Sequence, residues 1–475
     1  MSGGTMEHIN VALDIGTHKV ACLVAQKNIQ GEVKILGVGI TESEGLNRGV
    51  VVNIDKTVST IRKVIDQAEQ QSGVKIEEVT VGIAGDHIEA LQTRCLVGIS
   101  GDNPEIAESD VQRLLEEAHK LPITPDRSII HVMPSEYIID GQDGITDPVG
   151  MSGARLEGII HVITGMKSAI SNIQRCVSRV GLSVKDIVLE PIASSRAVIT
   201  DEEREVGVAL VDIGGGTTDI AIFQDNVLRF TSIFALAGKH VTEDIRTVLQ
   251  IVSQKAEKVK KEHGHCYGPS IMNDEIFMIP GVAGRKPIEV TKSYLCQIIE
   301  PRVEELFSFA VEEIARSGYG NKLGAGIVLT GGTCLLKGTE DLAHNVFNMA
   351  VKLGIPTGIT YSGLGPEVES PVYATGVGLA LWAFDKDDTS GKVLQAESKE
   401  SSDQKNSPVE SSYSEPKLKW TSMFNAYKKK SGSEQIKERS QINSGKSEDS
   451  NTESVGGTTH IRNISKKLKD FVEQL

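Results

Sequence analysis

The sequence predicts an α/β protein of two related lobes, with a smaller insert in the first and a non-globular C-terminal tail. Three observations carry that prediction. The segment "VALDIGTHKVACLVA" (11–25) is echoed by "VALVDIGGGTTDIAIF" (208–223). Each copy reads as an apolar strand, an Asp-Ile-Gly turn bearing threonine, and a second apolar strand. Residues 85–164 interrupt this pattern with a Gly/Asp-punctuated stretch, and beyond Asp385 the composition turns rich in Ser, Lys and Glu. At 475 residues the chain is also too long for one ordinary core.

Taken in order, "NVALDIG", "KVACLVAQ" and "VKILGVGI" read as hairpin-linked strands over 9–40. Residues 56–73 carry the apolar spacing of an amphipathic helix closed by Gly73. The strand "EEVTVGIAG" precedes the insert, read as a compact β-α-β-rich unit with a helix at 108–120 and a final strand "IIHVITG". A helix over 167–180 and the strand "VKDIVLEP" lead into the second Asp-Ile-Gly hairpin. Helices are expected at 240–263, 293–316 and 339–353, with the strand-turn "GAGIVLTGGTCLLKG" before the last. The stretch "VYATGVGLALWAF" (372–384) reads as a buried closing helix.

The formal charge is −14, yet the tail from residue 385 holds 16 Lys/Arg against 15 Asp/Glu, leaving −15 on residues 1–384. So acidic a body argues against nucleic-acid binding, which needs a basic footprint. The six cysteines are scattered with no C-x-x-C pair, as expected of small core side chains in a reducing compartment. "MSGGTMEHIN" lacks the basic and apolar blocks of a secretion signal. No run of about 18 apolar residues is present to span a membrane. "HGHC" (263–266) packs two His and a Cys around a glycine, too tightly to converge on one ion.

The repeated hairpin has a definite chemistry. Asp14 and Asp212 end their strands at a turn, where a carboxylate can hold a hydrated divalent cation such as Mg²⁺. Gly16, and Gly214, Gly215 and Gly216, remove Cβ atoms so that backbone N–H groups can approach an anion. Thr17, Thr217 and Thr218 add hydroxyl donors, and Lys19 adds positive charge. Neither turn is a Walker loop. Two such hairpins facing one another would clamp a phosphate chain and its metal from both sides.

With "GIVLTGGT" added, these motifs resemble the phosphate and adenosine motifs of the actin, heat-shock-chaperone and sugar-kinase ATPase superfamily. Within it, "ISGDNPEIAESDV", "HVMPSEYIIDGQDGITDPVGMSGARLEG" and "VLEPIASSRAVIT" are similar to the FtsA family of bacterial cell-division proteins. The resemblance spans most of residues 9–384, and the insert is its discriminating part. It implies an actin-like two-lobed ATPase fold with duplicated core domains. The first-lobe core is expected at 1–84, 165–195 and 360–385, and the insert at 85–164. The second-lobe core is expected at 196–240 and 315–359, its small subdomain at 241–314. A disordered linker over 386–457 and an amphipathic helix over 458–475 complete the division.

The family roles fall on particular residues. Asp14, Gly16, Thr17 and Lys19 match the first phosphate motif. Asp212, Gly214, Gly215, Gly216, Thr217 and Thr218 match the second. Gly331, Gly332 and Thr333 match the adenosine turn. Glu190 matches the acid that orients a water toward the γ-phosphate, or is a helix N-terminal carboxylate favoured by the dipole. Glu257 and Lys260 match base- or ribose-side contacts, or form an i,i+3 pair on a solvated face. Three residues depart from the family pattern: Thr333 and Lys239 replace usual glycines, and His18 a usual serine. Thr333 is expected to crowd the nucleotide or alter the turn. The cofactors implied are ATP and Mg²⁺, with slow turnover at most, nucleotide serving mainly as a switch.

In the tail, Ile461, Ile464, Leu468, Phe471, Val472 and Leu475 fall on one helical face, with Arg462, Lys466, Lys467 and Lys469 on the remainder. A basic amphipathic helix on a flexible tether is the form of a membrane-surface anchor, and ~75 flexible residues give it a reach of ~45–50 Å. Trp420, Met423, Phe424 and Tyr427 repeat the pattern between lysines, as an auxiliary membrane or partner contact. The resemblance implies a filament-forming protein on the cytoplasmic face of the membrane at the septum. It would tether FtsZ through the small subdomain and recruit other division proteins through the insert. Arg302, expected exposed on the helix at 293–316, is the candidate contact for the acidic FtsZ tail. A pilus-assembly scaffold and a small-molecule kinase of the same superfamily are the alternatives.

Overall fold

A computed structural model describes residues 8–101, 104–281, 286–361 and 368–400. Strands β1 (His8–Ile15), β2 (Lys19–Lys27) and β3 (Val33–Glu42) form an antiparallel meander. A short ribbon, β4 (Leu46–Asn47) and β5 (Val50–Val51), precedes helix α1 (Ile54–Ser72). Asn53 caps α1 by accepting from the Lys56 N–H, and Gly73 ends it in the left-handed region at φ 69°. Ile61, Val64, Ile65 and Ala68 bury one face of α1 against the meander. Strand β6 (Glu78–Ile83) then runs parallel beside β1.

The insert is a four-stranded antiparallel sheet with one helix. Strands β7 (Glu89–Gly98), β8 (Arg127–Ile139), β9 (Gln142–Ile145) and β10 (Arg155–Met166) pair in the order β7-β10-β8-β9. Helix α2 (Glu108–His119) lays Val111, Leu114 and Ala118 into a core shared with Leu156, Ile160 and Val162. Helix α3 (Lys167–Val180) returns the chain to β11 (Ser183–Leu189), parallel to β6. Helices α4 (Glu190–Val198) and α5 (Asp201–Val206) follow.

The second lobe repeats the plan of the first. Strands β12 (Val208–Ile213), β13 (Thr218–Gln224) and β14 (Val227–Phe234) are its meander. Helices α6 (Gly238–Leu249) and α7 (Ser253–His263), the ribbon β15 (Ile276–Ile279) and β16 (Ile288–Thr291), and α8 (Lys292–Arg316) come next. Strand β17 (Gly326–Thr330) lies parallel beside β12. After α9 (Thr339–Phe347), β18 (Val351–Leu353) lies parallel beside β17. The order β14-β13-β12-β17-β18 therefore matches β3-β2-β1-β6-β11, sense for sense. Strand β19 (Ile359–Tyr361) crosses back to extend the first sheet beside β3, and α10 (Ala374–Glu400) closes the fold.

Three expectations are corrected. The helix expected at 240–263 is two, because Gln250 turns left-handed at φ 51° and lets both apolar faces reach one core. The helix expected at 339–353 stops at Phe347, with Asn348 left-handed, because Val351 and Leu353 complete the sheet instead. The linker expected from 386 begins as helix, since α10 continues to Glu400. Its turn at 385–388 is held by ion pairs from Arg196 to Asp385 (2.7 Å), Lys185 to Asp387 (2.7 Å) and Lys27 to Asp388 (2.5 Å). Lys386 pairs with Asp186 at 2.7 Å.

Candidate functional site

Each meander opens with the same turn. In the first lobe Ile15 faces Val20, and the Gly16 N–H donates to the Lys19 carbonyl at 3.0 Å. In the second Ile213 faces Thr218, and the Gly214 N–H donates to the Thr217 carbonyl, also at 3.0 Å. Thr17 thus corresponds to Gly215, and Lys19 to Thr217. The two turns meet tip to tip. A Cβ on Gly215 would stand 2.7 Å from His18 Cβ, and one on Gly216 only 2.4 Å from Thr17 Oγ1. Only glycine permits that approach.

Behind the tips lie the carboxylates. Asp14 and Asp212 are buried at 3% and 6% exposure. Lys19 Nζ pairs with Asp14, whereas Asp212 accepts from Ser194 Oγ at 2.6 Å, and Thr375 Oγ1 lies 3.0 Å from that hydroxyl. Burial pushes Asp212 up from 3.8 to about 6, the charge of Asp14 adds to this, and the Ser194 hydrogen bond opposes it. Asp219 stands opposite Asp212 in the register, also buried, with Oδ2 accepting from Thr217 at 3.3 Å and no partner for Oδ1 among the described residues. Burial and then the neighbouring Asp212 hold Asp219 well above its usual range. Glu190, first residue of α4, is held high by burial and then by Asp14, Asp219 and Asp212, with Lys19 pulling it back.

Four acids around one lysine leave an excess of negative charge that a divalent cation would relieve. Among the described residues no three His, Cys, Asp or Glu side chains form a direct metal-holding cluster. The donor set therefore fits an ion held through waters and phosphate oxygens, as Mg²⁺ favours.

The Gly-Gly turn packs against the second hairpin. Gly331 sits at φ 88°, where a Cβ would lie 2.5 Å from Asp212 Oδ1 and from the Ile213 carbonyl. Among the described residues a Cβ on Gly332 would meet only Val372, at 3.9 Å. Thr333 follows in the same turn. It is buried, and its hydroxyl donates to the Gly214 carbonyl at 2.8 Å, tying the Gly-Gly turn to the second hairpin. The Gly238 N–H donates to the same carbonyl at 3.1 Å, and the Lys239 N–H to the Gly215 carbonyl at 2.9 Å.

Glu257 and Lys260 form their i,i+3 pair at 2.8 Å, but not on a solvated face. Lys260 is buried and donates to the Gly238 carbonyl at 3.0 Å; Glu257 accepts from Thr242 Oγ1 at 2.5 Å. The tip of the first turn also reaches α7, His18 Nε2 lying 3.4 Å from Glu257 Oε1 and 3.0 Å from Lys261 Nζ.

The chain is 42% identical to the cell division protein FtsA of Pseudomonas aeruginosa over 84% of its own length and 95% of the relative's. The chain belongs to the FtsA family. It is 39% identical to the FtsA of Bacillus subtilis over 78% of this chain and 83% of that one. The corresponding figures for Escherichia coli K12 FtsA are 38%, 80% and 91%. The family model for cell division protein FtsA matches residues 209–378, and the SHS2 domain inserted in FtsA matches 85–164.

The fold is actin-like. A PilM-PilN type IV pilus biogenesis complex structure is similar at TM-score 0.57 and 15% identity, covering 78% of this chain and 97% of that one. MreB 5 of Spiroplasma citri, solved bound to AMPPNP, is similar at 0.50 and 15%, covering 81% and 99%. This FtsA-family chain thus carries the SHS2 insert where its first-lobe sheet is interrupted, between β6 and β11.

Arg302 is not the exposed contact expected. Its guanidinium makes two bonds to Asp244 on α6, at 2.6 and 3.1 Å, and another to Glu305, so it is spent clamping α8 to α6. The proposed membrane face, Ile461, Ile464, Lys466, Lys467, Leu468, Phe471, Val472 and Leu475, lies outside the described residues. So does the segment bearing Trp420, Met423, Phe424 and Tyr427. No helix among the described residues is long and apolar enough to cross a membrane. Sequence reading missed Asp219 and Ser194 as site residues, though both left signals. A four-residue turn puts Asp219 opposite Asp212, and Ser194 is one helical turn beyond Glu190. Thr375 left none.

Proposed function

We propose that this chain binds ATP with Mg²⁺ between its two lobes, assembles into filaments under nucleotide control, and tethers an FtsZ ring to the cytoplasmic membrane at the septum. The observation that carries the nucleotide reading is the meeting of two equivalent turns, each backed by a buried aspartate. Backbone N–H groups of Gly215 and Gly216, with the Thr17 and Thr217 hydroxyls, would receive the phosphates. Asp14 and Asp212 would hold the ion through its waters, and the ion would neutralise charge on the phosphate oxygens. The adenosine would lie toward Gly331 and Gly332, beside α7. Glu190 would orient the attacking water.

The membrane and FtsZ roles rest on family membership and on the tail sequence. Residues 458–475 would lie in the anionic surface, each Lys or Arg there adding roughly 1 kcal/mol. FtsZ would bind the small subdomain over 241–314, where Arg302 contributes only by exchanging Asp244 and Glu305 for an acidic peptide. Other division proteins would bind the SHS2 insert.

Two measurements test the reading. Asp14→Ala and Asp212→Ala should each weaken Mg-ATP binding; loss in only one variant would refute the two-sided clamp. Liposome co-sedimentation of the full chain, against one ending at Gly457, tests the anchor: equal pelleting removes it.

A further inference from the structure

Beyond the residues the family motifs nominate, we propose that Lys239 binds the terminal phosphate of the nucleotide, an assignment that rests on the ATP reading above. Among the described residues, Lys19, Lys239, Lys260 and Lys261 make contacts with the two turns or the segments packed on them. Lys19 is paired with Asp14, Lys260 with Glu257 at 2.8 Å, and Lys261 with Glu257 at 3.7 Å and His18 at 3.0 Å. Lys239 is different: it is exposed, and no carboxylate among the described residues pairs with it. Its ammonium donates instead to a neutral acceptor, the Asn47 side-chain oxygen, at 3.3 Å.

Its position suits the role. The Lys239 backbone N–H is fixed on the Gly215 carbonyl at 2.9 Å, so its Cα is anchored at the second turn. Its side chain then spans to the first lobe. Asn47 lies two residues before Gly49, whose N–H donates to Thr17 Oγ1 at 2.8 Å, at the tip of the first turn. The side chain thus runs from the second turn to the segment that braces the first, and on this proposal the far end of a phosphate chain lies within reach of its ammonium.

The charge balance needs such a group. Asp14, Glu190, Asp212 and Asp219 already crowd the site, and a polyphosphate adds several negative charges beyond those one divalent ion offsets. A lysine on a flexible stem can exchange a neutral amide for a phosphate oxygen at little cost, and a charged hydrogen bond is the stronger of the two. A glycine at 239 has no side chain to supply that contact.

The test uses the full chain, with Mg-ATP, Mg-ADP and AMP titrated onto wild type, Lys239→Met and Lys239→Arg. Lys239→Met should weaken ATP by about tenfold, ADP by less than about threefold, and AMP not at all. Lys239→Arg should stay within about threefold of wild type for all three. Unchanged ATP affinity in Lys239→Met, or equal loss of all three ligands, overturns the assignment. An Asp212→Ala control separates the two ideas: normal ATP binding there refutes the clamp while leaving the Lys239 comparison readable. A wild-type chain that binds no nucleotide refutes both.

Discussion

The Thr333 hydroxyl donates to the carbonyl of Gly214 at 2.8 Å, tying the Gly-Gly turn of the second lobe to its Asp-Ile-Gly hairpin. That bond explains why residue 238 is glycine. A Cβ there would stand 2.2 Å from Thr333 Oγ1. Thr333 thus acts as a brace behind the turn.

Gly238→Ala should therefore destabilise the protein by about 1–3 kcal/mol through overpacking. Thr333→Ala should cost about 1 kcal/mol for the lost hydrogen bond. The double variant should be more stable than Gly238→Ala alone, because the clashing atom is gone. A double-mutant cycle from denaturant melts checks this; additive losses would show that the two side chains do not meet.

The buried acids predict a pH dependence of stability without nucleotide. Asp212 has its affinity for protons raised on folding, from 3.8 to about 6, so between those values the folded state holds more protons than the unfolded one. Stability from this group is then full below about 4 and falls as pH rises to about 6, by up to about 3 kcal/mol. Glu190 and Asp219 shift in the same direction. Asp212→Asn should raise Tm at pH 7.5 while weakening Mg-ATP binding. A lower Tm in that variant would contradict the unrelieved charge.

The acidic turn of α10 should be a salt-sensitive dock. Its ion pairs to Lys27, Lys185 and Arg196 are partly exposed, each contributing about 0–1 kcal/mol. Replacing Asp385, Asp387 and Asp388 together by Asn should speed amide exchange over 382–388 and leave α1 and β12 protected. Exchange indistinguishable from wild type would mean that apolar packing alone holds the helix.

Arg302→Ala should lower thermal stability by about 2–3 kcal/mol, since it leaves Asp244 and Glu305 facing each other without their cation. Arg302→Lys should recover only part of this, because an ammonium cannot reproduce the two-pronged bond to Asp244. Thermal melts of both variants decide it, and a neutral Arg302→Ala would return this side chain to the pool of free surface contacts.

Much of the fold is local and was legible in the residues. Strand alternation and Asp-Ile-Gly turns exposed the duplication, because a hairpin is specified within a few residues of itself. The insert was visible as a change of character over 85–164. The ends of elements were harder to read. Helical spacing at 339–353 gave way to a sheet edge, and a charged stretch after 384 became helix because basic residues distant in sequence receive it.

By itself, the sequence determined that two related hairpins, each with an aspartate behind a glycine turn, would exist in one chain. Tertiary structure alone decided that their tips meet, that Asp219 joins Asp212, and that Thr333 turns inward. It also decided that Arg302 is occupied while Lys239 has no carboxylate partner among the described residues. The division has a physical cause: turn and strand are set by neighbours along the chain. The burial and charge of a side chain are set by whatever distant segment packs against it.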